Sequence, residues 1–320
     1  MRAWLPLLLS VAACNNGAVL PPPPDAIHTV GIDANITQPP PQIDGGQVLV
    51  EYVTLDSDLQ AAAGLPAGVT TVARVIAFFL DAQTPSQVPF PPAGVCMNLA
   101  VTQGWPLIGS PRTELDMGMV ALRGPNTAGT IATTLLPKLP AGTDALGRAQ
   151  DVYYQLVQPN ADDVLAPGAT YTVNVFGTAM FPDTTFDSGI ALPSQFSVYS
   201  PALDENGPFV AGNNTTIFWT PGPAPSPSPP IGLIWLEDVD GVPTHVCETD
   251  YGAGLFTISG TTLTEYQQIA QARGLATNKL ILRRDALVPN IVLLPNAEPN
   301  NPRALQLLAI TSFEQLVDLN

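Results

Sequence analysis

The sequence predicts a mainly β protein, folded as two antiparallel β-sandwich domains. Short apolar runs of strand length recur from Gln47 to the C-terminus, separated by Gly-, Pro- and Asp-rich turns. The 320 residues include 35 prolines and 26 glycines, a composition rich in turns and poor in long helices. Apolar residues make up 46% and charged residues 12%, enough to fill cores and too few charges for a disordered chain. The length leaves room for two domains.

The chain opens with Arg2 and an apolar segment, Ala3 to Ala13. That segment is too short to span a bilayer, which needs about 20 residues, but it is long enough for a signal peptide over residues 1–13. An ordinary signal peptide needs no cysteine at its cleavage site. Here Val11-Ala12-Ala13-Cys14 resembles the bacterial lipobox. The resemblance implies acylation of Cys14, attachment to a lipid membrane and, with Asn15 rather than aspartate next, an outer-membrane lipoprotein of the bacterial cell envelope. A single acyl chain anchors only marginally, whereas lipoproteins of this type carry three.

Residues 14–46 read as a disordered, Pro-rich tether, with Pro21 to Pro24 and Pro39 to Pro41 as polyproline stretches. Roughly thirty residues in that geometry reach up to ~90 Å. From Val48-Leu49-Val50-Glu51-Tyr52-Val53 onward the pattern is β, and residues 47–205 form the first expected sandwich. Its strands are Val48 to Val53, Val72 to Leu80, Val95 to Val101, Asp116 to Arg123, Thr130 to Leu135, Val152 to Val157, Tyr171 to Phe176 and Phe196 to Tyr199. The stretch Asp81 to Arg112 reads as a long Pro-rich loop holding Cys96 and Trp105.

Residues 206–320 form the second expected sandwich. Thr215 to Pro221, Ile231 to Glu237 and Thr244 to Thr249 are strands, the last two joined by an Asp240-Gly241 turn. Thr262-Leu263-Thr264-Glu265 is a capping-box pattern that opens one short helix, and Gly274 is placed to end it. Lys279 to Arg283, Ile291 to Leu294 and Ala304 to Thr311 are the closing strands.

Leu165-Ala166-Pro167-Gly168-Ala169-Thr170-Tyr171-Thr172-Val173-Asn174-Val175 resembles a segment of fibronectin type III and related Ig-like domains. The resemblance implies that Tyr171 is a structural corner whose hydroxyl bonds back to the preceding turn. Ile217-Phe218-Trp219-Thr220-Pro221 looks like the early Trp-bearing strand of the same class, so the two motifs fall in successive Ig-like domains. More loosely, the chain is similar to bacterial envelope lipoproteins with two such domains and no assigned activity.

The formal charge is −16, with 11 basic against 27 acidic residues, which disfavours nucleic acid as a partner. Beyond Cys14, the remaining cysteines are Cys96 and Cys247. They form a candidate disulfide in an oxidising compartment or sit as two separately buried thiols. His28 lies in the tether. His245 shares a strand face with Cys247, but at ~6–7 Å along the chain the pair does not naturally meet, so His245 is expected on a strand surface.

The serine-hydrolase, zincin, P-loop and dinucleotide motifs are absent from the sequence, so neither a catalytic residue nor a cofactor is expected. Calcium candidates are Asp238, Asp240 and Asp250, in acidic turns that also read as an ordinary hairpin turn and a solvated loop. Trp105 is a candidate sugar contact or a lid over the core. The function expected is a non-enzymatic binding or structural module whose partner is an envelope protein or a polysaccharide. The alternative is a carboxylate-based hydrolase acting on envelope or extracellular polysaccharide through two acids.

Overall fold

The computed structural model describes residues 45–79, 91–99, 116–139, 142–143, 149–150, 153–177, 183–200, 209–223, 230–294 and 303–320. The signal segment, Cys14, nearly all of the tether, Trp105 and the expected 205/206 domain boundary lie outside the described residues.

The protein is mainly β. Its first strands are β1 (Gly46–Leu55), β2 (Thr71–Phe79), β3 (Cys96–Asn98), β4 (Val120–Pro125), β5 (Ile131–Leu136) and β6 (Lys138–Leu139). There follow β7 (Gly142–Thr143), β8 (Ala149–Gln150), β9 (Tyr153–Pro159), β10 (Thr170–Val175), β11 (Thr184–Ala191) and β12 (Ser197–Ser200). The remainder are β13 (Thr215–Thr220), β14 (Ile231–Glu237), β15 (Pro243–Asp250), β16 (Leu255–Ile258), β17 (Lys279–Leu294) and β18 (Arg303–Asp318). Helix α1 covers Ser57–Ala62 and helix α2 covers Gly260–Ala272.

One nine-stranded sheet, ordered β3-β15-β14-β17-β18-β1-β2-β9-β6, takes strands from both halves of the chain. Its neighbours are antiparallel except β1 and β18, which run parallel from Gly46↔Leu305 to Leu55↔Glu314. The expectation of purely antiparallel pairing is corrected there. β1 is central and buried along both faces, which is why Val48 to Val53 reads as an almost unbroken apolar run.

Two smaller sheets pack on one face of the large one. The four-stranded sheet β11-β10-β4-β5 closes a core with β1, β2 and β9, from Val50, Val75 and Tyr154 to Leu122, Val173 and Phe186. The three-stranded sheet β12-β13-β16 and helix α2 close another over β14, β15 and the start of β17, where Ile217, Trp219, Tyr266, Leu236 and Leu280 meet. The β17/β18 hairpin serves both cores. Val292, Leu305 and Leu307 enter the first, and Leu280, Leu282 and Val317 enter the second. The two halves therefore share a wall instead of each building its own.

Local chemistry explains the departures. The two expected closing strands, Lys279 to Arg283 and Ile291 to Leu294, are one strand of 16 residues. The charges of Arg283, Arg284 and Asp285 interrupt its apolar pattern without interrupting its ladder to β18. β11 was hidden by the register shift between Tyr171 and Val173, where Gly189 takes a φ of 65°. Helix α2 starts a turn earlier than the Thr262 capping pattern suggests. Ser259 is its N-cap, and its hydroxyl accepts the Thr262 N–H at 3.1 Å. Gly274, with φ 71°, follows its last turn. Helix α1 is capped by Asp56, whose Oδ1 accepts the Leu59 N–H and whose Oδ2 accepts the Leu316 N–H, both at 2.7 Å.

A buried charge network as the candidate functional site

The other face of the large sheet carries two apolar clusters, one around Leu233, Trp235 and Leu308, the other around Val53, Leu55 and Val72. Between them lies a buried ionic network. Period-two alternation sets its members side by side. Glu51 on β1 is registered with Arg74 on β2, Arg283 on β17 with Glu314 on β18, Asp285 with Ser312, and Trp235 on β14 with Arg283.

The geometry is dense. Arg74 grips Glu314 through both Nη atoms, at 2.9 and 3.4 Å, and reaches Glu51 at 3.5 Å. Arg283 donates to Asp285 at 2.8–3.0 Å and to Glu51 at 2.5 Å, and its Nη1 lies 3.7 Å from Glu314. Ser312 Oγ lies 2.9 Å from Glu51 Oε1 and 2.7 Å from Asp285 Oδ1. A single hydroxyl proton cannot serve both oxygens at once. Trp235 Nε1 donates to Asp285 Oδ2 at 2.7 Å, and the Arg283 guanidinium lies 5.9 Å from the Trp235 ring centre.

The electrostatics separate the acids. Burial alone would raise the Glu51 carboxyl, but Arg283 and then Arg74 hold it below the usual range. Burial raises Asp285 in spite of Arg283. Glu237, only 4% exposed at the end of β14, is pushed up to about 8 by burial. At neutral pH the network therefore holds ionised and protonated carboxyls together. On the opposite face, burial pushes the Arg284 guanidinium down to about 9, and it lies 5.5 Å from the Phe313 ring centre.

The residues singled out from sequence fall elsewhere. Cys96 and Cys247 are cross-strand partners on β3 and β15, joined by a disulfide across 151 positions. His245 is not on a strand surface. It is buried facing α2, with Nε2 3.4 Å from Glu265 Oε2 and Nδ1 3.1 Å from Thr244 Oγ1, and burial lowers its imidazole pKa. Tyr171 OH accepts the Ala166 N–H at 2.5 Å and donates to the Pro125 carbonyl at 2.7 Å. A Cβ at Gly124 would meet the Tyr171 ring at 2.2 Å, so the ring and the glycine fit as a pair.

The calcium candidates do not converge. Asp238 Oδ1 accepts the N–H groups of Asp240 and Val242 within the turn, and Oδ2 is paired with Arg273. Asp250 caps the short turn at Gly252. Asp250 is registered with Ile231, while Asp238 follows Glu237 at the other end of β14. The hairpin thus separates them by roughly 20 Å. Among the described residues no group of three or more His, Cys, Asp or Glu is arranged to hold a metal ion.

Sequence reasoning passed over the network itself. Its signal was the lone charge inside an apolar strand, as in Val50-Glu51-Tyr52 and Ala73-Arg74-Val75. Chemically, the network is suited to joining strands. A cavity between Phe196, Trp219, Tyr251 and Arg284 measures about 10 Å³, room for roughly one water. No helix among the described residues is long and apolar enough to cross a membrane. Neither a family model nor a curated protein matches this chain.

Proposed function

We propose that this protein is a lipid-anchored, non-enzymatic component of a bacterial cell envelope. In this reading a Pro-rich stalk on acylated Cys14 holds a β-sandwich binding or structural module of the Ig-like class at the outer membrane. The observation that carries the non-enzymatic reading is the buried network, in which Arg74 and Arg283 answer Glu51, Asp285 and Glu314 directly. Such groups are committed to one another and are poorly placed to serve a substrate. The Cys96–Cys247 disulfide supports a compartment outside the cytoplasm, and the Tyr171 corner supports the Ig-like class. The partner in this reading is an envelope protein or a polysaccharide; the acidic surface argues against nucleic acid. The test is fractionation of cells expressing the wild type and Cys14→Ala. The reading expects the wild type with membranes and the variant in the soluble fraction, with no polysaccharide turnover by either. A variant that stays with membranes sinks the anchor.

A second reading, a carboxylate-based polysaccharide hydrolase, is favoured by one observation. Glu237, its pKa pushed up to about 8 by burial, interacts with the neighbouring carboxyl of Glu314, and a pair of carboxyls of which one is kept protonated is the arrangement such hydrolases use. Turnover of an envelope polysaccharide that disappears in Glu237→Gln would establish it.

A further inference from the structure

We propose that the outer edge of β5 is a homodimer interface, at which two copies of this chain join their four-stranded sheets across a two-fold axis at Thr133. β5 is the outermost strand of β11-β10-β4-β5 among the described residues. Natural edge strands are ordinarily blunted by charge, proline or a bulge. β5 carries none of these. Its sequence Ile131-Ala132-Thr133-Thr134-Leu135-Leu136 is uncharged, and it pairs with β4 without a register shift.

The hydrogen-bond alternation is fixed by the hairpin. Asn126 N–H donates to the Thr130 carbonyl at 3.0 Å, so Thr130 belongs to a hydrogen-bonded pair with the β4 side. Antiparallel pairs alternate. The backbone groups of Thr130, Ala132 and Thr134 therefore face β4, and those of Ile131, Thr133 and Leu135 face outward. Pro137, in the same outward phase, sends its carbonyl to Gln155 N–H on β9 at 2.9 Å. That contact shows an outward carbonyl of this segment already accepting from another strand.

The outward set is self-complementary. Ile131 and Leu135 lie two residues to either side of Thr133, so antiparallel pairing about Thr133 sets Ile131 of one copy opposite Leu135 of the other. Each of these pairs, and Thr133 with its own copy, would exchange both backbone hydrogen bonds. The side chains at these positions share one face, and Ile131 is 66% and Leu135 55% exposed. Pairing would cover both, and cross-strand aliphatic pairs of this kind stabilise a sheet. Charge points to the same occupant. In a chain of net −16, residues 124–137 contain no acid or base, so this edge is a place where two acidic copies can approach without like charges opposing.

The test is a thiol placed on the axis. In the full chain with Cys14→Ser, a Thr133→Cys variant would set two sulfurs on a hydrogen-bonded pair with Cα atoms about 5.5 Å apart, within disulfide reach. The inference expects rapid disulfide-linked dimer under mild oxidant, and little from a cysteine at Thr216 on the other small sheet. It also expects sedimentation velocity to show a concentration-dependent dimer, lost in Thr133→Lys and in Thr133→Asp separately and restored when the two variants are mixed. A wild type that is monomeric throughout, no cross-link at position 133, or cross-linking there only to a different protein would each overturn it.

Discussion

Arg74 on β2 and Glu314 on β18 lie 240 positions apart in sequence, yet they form a two-toothed ion pair across the intervening strand β1, at 2.9 and 3.4 Å. The contact ties the first described third of the chain to its last strand. β1 lies buried between the two, so its own Glu51 has to be neutralised. Arg74 and Arg283 do so from either side.

Removing one partner leaves the others buried with uncompensated charge. Arg74→Ala and Glu314→Ala are each expected to cost about 3–5 kcal/mol, read from urea denaturation midpoints. Arg74→Ala combined with Glu314→Ala should cost clearly less than the sum of the two single changes, as expected of directly coupled residues. Additive losses would show that the pair does not act as a unit.

Stability should fall as pH rises through the neutral range. Burial pushes the Glu237 carboxyl up to about 8 in the fold from an ordinary value of 4.5. Between those values the folded state holds a proton that the unfolded state has lost, so the pH slope of stability is negative there. Thermal unfolding at pH 5.5 and 8.5 should show the wild type weaker at the higher value, and Glu237→Gln should flatten that difference. Glu51, held low, acts in the opposite sense. Its contribution is present above the unfolded carboxylate range and is lost as pH falls through its folded value.

The disulfide fastens β3, only three residues long, to the rim of the large sheet at Cys247. Closing 151 positions is expected to contribute about 2–5 kcal/mol. Cys96→Ser with Cys247→Ser should lower the melting temperature by several degrees. In the non-reduced wild type, peptide mapping should find the Cys96 and Cys247 peptides linked. Separate, alkylatable thiols there would contradict the pairing.

Tyr171→Phe removes a hydroxyl that serves both Ala166 and Pro125. A loss of about 1–3 kcal/mol is expected, because the half-buried Ala166 N–H is left unanswered. Gly124→Ala should be at least as damaging, since the new methyl would collide with the same ring. A neutral outcome in both variants would remove the corner from the list of stabilising features.

Much of the β character was legible in the chain. Apolar runs such as Val72 to Phe79 mark strands buried on both faces, Gly241 and Gly274 sit where φ is positive, and Leu233 and Trp235 share a face. What was not legible is non-local. Nothing near Gly46 or Leu305 announces that they are partners, because parallel pairing across most of the chain leaves no turn to read. The charges of β17 looked like a break because their partners, Glu51 and Glu314, lie on other strands. His245 looked exposed because the helix that covers it begins only after β16. Asp238 looked available to an ion because Arg273 approaches it from the far end of α2.

The β17/β18 hairpin makes the two halves one folding unit, with Val292 and Leu305 in one core and Leu280 and Val317 in the other. Differential scanning calorimetry of the full chain tests it most directly. A shared wall predicts a single transition whose calorimetric and van't Hoff enthalpies agree. Two separable transitions, one of which survives proteolytic cutting between residues 200 and 209, would contradict it.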